Sequence, residues 1–202
     1  MVKESEIKKV LSEVSKEVFD GKLVRYVHLR SYEAKAPREL LFDRGSLARG
    51  TRFTSINGAA VLYFSVGRDC AWAEYNRQNF QELREGKRIS STVQLIAQVK
   101  LCGVLNLSDP KVRSHLETNL QEIQSEWRGH FEFYQKYPLT WVLGQAVFDS
   151  KRFDAIRYPS QWSKGDCIAI LTERLGMEDY VEADPGVELG PSMMKGSLVL
   201  RP

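Results

Sequence analysis

The spacing of apolar residues changes several times along this chain, and each change predicts a different element. From Ser5 to Phe19 the residues Ile7, Val10, Leu11, Val14 and Val18 recur mostly at intervals of three and four, which predicts an amphipathic helix closed by Asp20-Gly21. From Leu23 to Leu29 apolar residues alternate with polar ones, the pattern of a half-buried strand with Arg25 in its middle. Residues 33–49 mix charge with Pro37 and Gly45 and read as a rim loop. Ala59 to Ser65 predicts a second strand. Behind it Val66-Gly67-Arg68-Asp69 makes a turn, and Asp69 suits the N-cap of a helix from Cys70 towards Phe80.

Ser91 to Leu101 and Gly103 to Leu107 read as two further strands, the second ending where Ser108-Asp109-Pro110 opens a helix. A polar helical region follows around Leu116 to Phe133, then a helix over Thr140 to Phe148. A strand near Phe153 to Arg157, a turn at Pro159-Ser160, and strands at Cys167 to Leu171 and Ser197 to Leu200 complete the pattern. This irregular alternation lacks the strand–helix units of about 30 residues that build a doubly wound parallel sheet. A mixed α+β fold is the expectation: one domain over residues 1–202, with residues 1–20 as an N-terminal helical extension.

Composition narrows the function classes. A chain of 202 residues buries roughly 70% of its unfolded surface, and 43% hydrophobic with 27% charged residues is ordinary for a globular protein. The net charge of +3, with no basic cluster interleaved with aromatics, disfavours nucleic-acid binding. Cys70, Cys102 and Cys167 are odd in number and far apart, so neither a disulfide framework nor a zinc site is indicated, and a reducing cytoplasm fits. Charges at the N-terminus precede no apolar run, and the longest uncharged stretch is too short for a bilayer of about 30 Å, so neither secretion nor a membrane span is expected.

Candidate chemistry gathers at a few positions. Arg25 and Arg52 stand at or beside apolar strands, where a guanidinium needs a partner: a surface carboxylate, or a pyrophosphate clamped between the two. Tyr26 and Tyr63 offer ring faces and hydroxyls, or serve as packing residues. Glu74 follows Ala71-Trp72-Ala73, and a carboxylate in that apolar context is paired or functional. Ser160 donates to a ligand or makes a local turn bond. His28, His115 and His130 have no metal-binding spacing, and no G-x-G-x-x-G, Walker loop or G-x-S-x-G elbow occurs.

Together these segments resemble the RES domain family, named for its arginine, glutamate and serine. The resemblance runs from about Lys22 to the end. It rests on Leu23-Val24-Arg25-Tyr26, Gly50-Thr51-Arg52-Phe53, Val61-Leu62-Tyr63-Phe64-Ser65, Ala71-Trp72-Ala73-Glu74, Gly103-Val104-Leu105-Asn106-Leu107-Ser108-Asp109-Pro110 and Ile156-Arg157-Tyr158-Pro159-Ser160. It implies an ADP-ribosyltransferase-like fold with two packed small sheets and surrounding helices. It further implies action on NAD as substrate without a metal, and a helix-turn-helix antitoxin as partner, with a homo-oligomer possible. By matching position, Arg25 and Arg52 would hold the pyrophosphate and adjoining ribose, Tyr26 and Tyr63 would shape the nicotinamide end, Glu74 would be the catalytic carboxylate, and Ser160 would bond substrate or that carboxylate. The family's glycine-glycine-arginine-tryptophan-asparagine stretch is Gly50-Thr51-Arg52-Phe53-Thr54 here, which puts rate and acceptor in question and leaves a second reading, a weak or inactive nucleotide-binding module of the same fold.

Overall fold

The computed structural model describes residues 4–29, 32, 48, 50–84, 91–127, 131, 137–184 and 198–200. Helix α1 (Glu4–Glu13) buries Ile7 and Leu11 but ends well before Phe19. Strand β1 (Glu17–His28) begins there instead, and Asp20-Gly21 sits inside it opposite Lys100 and Val99 rather than capping a helix. Val18, counted in the helical period, is 67% exposed. A ladder along nearly the whole of β1 satisfies more backbone groups than one more turn of a short helix would, and it wins over the periodicity.

Strand β2 (Val61–Ser65) leads into helix α2 (Arg68–Arg84). Asp69 lies in the first turn of α2 rather than ahead of it, where its charge complements the exposed N–H groups. The two strands expected between Ser91 and Leu107 are one, β3 (Thr92–Asn106). Gly103 is not a break: it lets Asp154 and Arg152 approach closely, since a Cβ there would stand 2.6 Å from Asp154 Oδ2 and 3.0 Å from the Arg152 carbonyl oxygen. Of the polar region after it, the described residues form α3 (Pro110–His115), capped by Asp109, and α4 (Leu120–Gln124), whose Asn119 and Glu122 make a capping box. Helix α5 (Leu139–Ser150), β4 (Ala155–Pro159) and β5 (Asp166–Leu171) fall close to expectation, as does β7 (Leu198–Leu200). Strand β6 (Tyr180–Asp184) was not legible in the pattern. Most of the rim loop, residues 33–47, lies outside the described residues.

The mixed α+β class stands, and the expected small sheets join into one seven-stranded sheet in the order β1-β2-β5-β4-β3-β6-β7. Strand β1 also pairs with β3, so five strands close on themselves and β6 and β7 continue outward. The length of β3 makes this possible: Ile96 to Lys100 pair with β6, while Val104 to Asn106 pair in parallel with β4. Inside the curve, Leu23, Leu62, Phe64, Ala97, Leu101, Ile168 and Ile170 form one core. On the outer face, Val61, Cys167, Ala169 and Leu171 pack with Ile7 and Leu11 of α1 and Leu143 and Val147 of α5. Alternate residues of β2 and β5 thus supply the two cores, and Tyr63 belongs to the outer set. Among the described residues no helix is long and apolar enough to cross a membrane, and no group of three or more His, Cys, Asp or Glu could hold a metal ion.

Candidate active site

The second turn of α2 carries Glu74 over the end of β5, where β4 has just turned at Pro159-Ser160. Ser160, 2% exposed, donates from Oγ to Glu74 Oε1 at 2.6 Å, joining residues 86 apart in sequence. Its hydroxyl oxygen also accepts from the backbone N–H of Trp162 at 3.0 Å and of Ser163 at 3.2 Å, which leaves its own proton aimed at the carboxylate. The turn is cinched from both ends: Ser160 N–H donates to the Gly165 carbonyl at 2.9 Å, and Gln124 Nε2 donates to the Ser160 carbonyl at 2.6 Å. Gly165 must remain small, because a Cβ there would meet Cys70 Cβ at 2.8 Å.

Two buried thiols lie beneath the carboxylate. Cys167 Sγ is 3.7 Å from Glu74 Oε1 and 3.9 Å from Cys70 Sγ, and Ser65 Oγ is 3.6 Å from Cys167 Sγ. The hydrogen bond with Cys167 brings the Cys70 thiol down to about 6 against the opposing effect of burial, with Ser163, Ser65 and Ser160 adding to the lowering. Cys167 moves the other way, pushed up first by Cys70, then by burial and the charge of Glu74. Sequence reading missed these neighbours, since the two cysteines are separated by 97 positions and only the pairing of β2 with β5 brings them together.

Arg52 sits in a tight turn closed by Thr51 and Thr54. Gly50 enters it at φ +66°, with the Trp141 ring 3.0 Å from where a Cβ would be. Tyr63 holds the turn: its hydroxyl is 2.6 Å from Thr51 Oγ1 and accepts from the Phe53 N–H at 3.1 Å, while Trp141 Nε1 donates to the Thr51 carbonyl at 2.6 Å. The Thr51 that stands in place of a second glycine is therefore spent on Tyr63, and Thr54 bonds the Ala59 carbonyl at 2.9 Å. From this turn Arg52 reaches the end of α4, donating through Nη1 to the carbonyls of Ile123 at 2.7 Å and Ser125 at 3.1 Å, and through Nη2 to Gln161 Oε1 at 3.4 Å. Its guanidinium carbon is 5.9 Å from the centroid of the Tyr158 ring.

Strand alternation separates the two candidates on β1. Tyr26 faces α2, edge-on to Trp72 with ring centroids 5.1 Å apart, and accepts from Gln94 Nε2 at 3.0 Å. Arg25 falls on the side of Leu23, the inner side of the sheet, and pairs across the ladder with Leu95. The structure thus brings Glu74, Ser160 and Arg52 around one turn, with Tyr63 behind it and Tyr26 on the flank, while Arg25 falls on the other face of β1 and is not brought to this turn.

What this arrangement offers chemically is a carboxylate oriented by a buried hydroxyl, a guanidinium that donates to the side chain next to that hydroxyl, Gln161, and aromatic rings on the helix that carries the carboxylate. The RES domain model matches residues 22–189. The crystal structure of the M. tuberculosis MbcT-MbcA toxin-antitoxin complex contains a chain of similar fold, with a TM-score of 0.61 and 13% identity over 85% of each chain. No curated protein matches the sequence. With 168 consecutive residues under the family model and the fold in agreement, the chain belongs to the RES domain family.

Proposed function

We propose that this protein cleaves the bond between nicotinamide and ribose in NAD, and that it acts in the cytoplasm as the toxin of a toxin-antitoxin pair. The observation that carries this reading is the 2.6 Å bond from Ser160 to Glu74, which points one carboxylate oxygen and leaves the other for a ligand. Nicotinamide leaves as a neutral molecule from a cationic centre, so no general acid is required and the developing charge is positive, on the ribosyl group. A carboxylate held beside that ribose stabilises the charge and can bind a ribose hydroxyl. Arg52 is proposed to hold the pyrophosphate, with Arg25, Tyr26 and Tyr63 completing the pocket. Binding energy from that non-reacting part keeps the ribose in front of Glu74.

The similarity of fold to a chain solved in a toxin-antitoxin complex supports an antitoxin partner, proposed to be of the helix-turn-helix type. A second reading, a binding module without turnover, is favoured by one observation: Arg52 already donates to two main-chain carbonyls and must partly release them to grip a ligand. Nicotinamide release by the purified chain separates the two. Glu74→Gln is expected to slow that release by about 10²-fold or more while the melting temperature holds. Turnover of the variant at the wild-type rate rejects the assignment. The accompanying product, whether ADP-ribose, its phosphate ester or a modified protein, identifies the acceptor.

A further inference from the structure

We infer that Arg77 joins Arg52 in a cradle for a phosphate oxyanion, that Gln161 fills the cradle when no ligand is bound, and that the carboxylate of Glu126 competes for it. The inference rests on the proposed NAD chemistry only for which phosphate is bound. Arg77 lies three residues beyond Glu74 on α2, so both project from one face of the helix. The turn opposite mirrors that spacing: Ser160 meets Glu74, Gln161 meets Arg77, and Trp162 stacks beneath the Arg77 guanidinium at 4.1 Å from the ring centroid.

The decisive feature is a shared acceptor. Arg52 Nη2 and Arg77 Nη1 converge on the same atom, Gln161 Oε1, at 3.4 and 3.5 Å. Two permanent cations aimed at one neutral amide oxygen is a poor use of charge, and both contacts are long. A phosphoryl oxygen in that place accepts from both guanidinium groups as charge-assisted bonds and offsets their mutual repulsion. Trp162 fixes the plane of Arg77 and so keeps one edge directed at the shared point.

Arg77 Nη2 is paired with Glu126 Oε2, and both side chains are substantially exposed, at 34% and 46%. A pair this open contributes little as a structural tie. As an internal anion it occupies one edge of Arg77 and screens its charge, so its removal frees the cradle. The two partners of this ion pair therefore have opposite effects on ligand affinity, which no structural role for the pair would produce.

The test is calorimetric titration of the full chain with inorganic pyrophosphate and, separately, orthophosphate, alongside KM and kcat for NAD. Arg77→Ala is expected to weaken pyrophosphate binding about tenfold or more, and Arg77→Lys to recover only part of it. Glu126→Gln is expected to tighten binding about threefold. For NAD the same variants should move KM in those directions with kcat within about twofold of wild type, the signature of lost or gained uniform binding. Pyrophosphate binding well above orthophosphate identifies the diphosphate of a dinucleotide; equal binding, with a rate that rises with added orthophosphate, identifies a free phosphate. Affinities unchanged in both variants, weakened in both, or undetectable for both anions in wild type overturn the cradle. If wild type releases nicotinamide and the variants leave affinity and KM unmoved, the cradle fails and the NAD reading survives. If wild type releases none but the opposite shifts in pyrophosphate affinity occur, the NAD reading fails and the cradle stands.

Discussion

A single hydroxyl decides how Glu74 presents itself. Because Ser160 accepts from two backbone N–H groups and donates to the carboxylate, its proton has one favourable direction. Residue chemistry of another kind sits at the far end of β4, where Asp154 is raised to about 6 by burial first and then by the negative charge of Asp179. Asp179 itself accepts from the N–H groups of Cys102 at 2.8 Å and Gly176 at 2.5 Å. A carboxyl whose folded value lies above its ordinary 3.8 favours the protonated form on folding, so its stabilising effect is complete below that value and is lost as pH rises through about 6. Asp154→Asn keeps the neutral form throughout. Its melting temperature should match wild type near pH 4 and exceed it at pH 7 by about 1 kcal/mol equivalent, the full shift being discounted for a half-buried site. A difference that stays flat from pH 4 to pH 7 would refute the assignment.

Elements position the site through close approach of helix and turn. Helix α5 meets the Arg52 turn at Gly144, where a Cβ would stand 1.8 Å from the Phe53 carbonyl oxygen and 2.7 Å from its carbon. These are backbone atoms and cannot move aside as a flexible side chain would. Gly144→Ala should therefore push the turn away from α5, costing about 3 kcal/mol in a denaturant titration, and on the function proposed above the displaced Arg52 should also weaken NAD turnover. A stable Gly144→Ala variant would show that the turn has slack. The same elements explain where sequence reading succeeded. Strands β2 and β5 were legible because five or six residues of β-branched and aromatic character suffice to mark them. Strand β6 was not, because only Val181 and Ala183 of its five residues are small or branched apolar positions turned to the core, and its stability comes from the β3 edge it covers.

At the scale of the whole molecule, α1 precedes the residues that the family model matches and yet packs into the core. Ile7, Leu11 and Val14 are buried against the α5 side of the sheet, and Arg152 donates to the carbonyls of Leu11 at 2.5 Å and Val14 at 3.3 Å. Deleting residues 1–14 exposes those contacts and removes roughly 5 kcal/mol of apolar burial. A fall in melting temperature of about 10 °C or more is expected, and an unchanged melting temperature would show that these contacts add nothing to stability.

The order of short motifs along the chain was enough to determine the family and the α+β class, because each motif is local: a strand with an arginine, a glycine-led turn, a carboxylate on a helix, a strand ending in Pro-Ser. Glu74 and Ser160 could be named singly for the same reason. Their meeting entered only through the family resemblance, as one of two partners for Ser160, and the choice between them depends on β4 and β5 pairing beside α2 across 86 positions. The faces of β1 were also open until its partner β3 set the register, which turned Tyr26 towards α2 and Arg25 to the other side. Nor did any local pattern tie Cys70 to Cys167, or Arg52 and Arg77 to one oxygen of Gln161. Local propensity and spacing act within a few residues, whereas strand register and helix placement act between distant ones, and the contacts that orient this site are of the second kind.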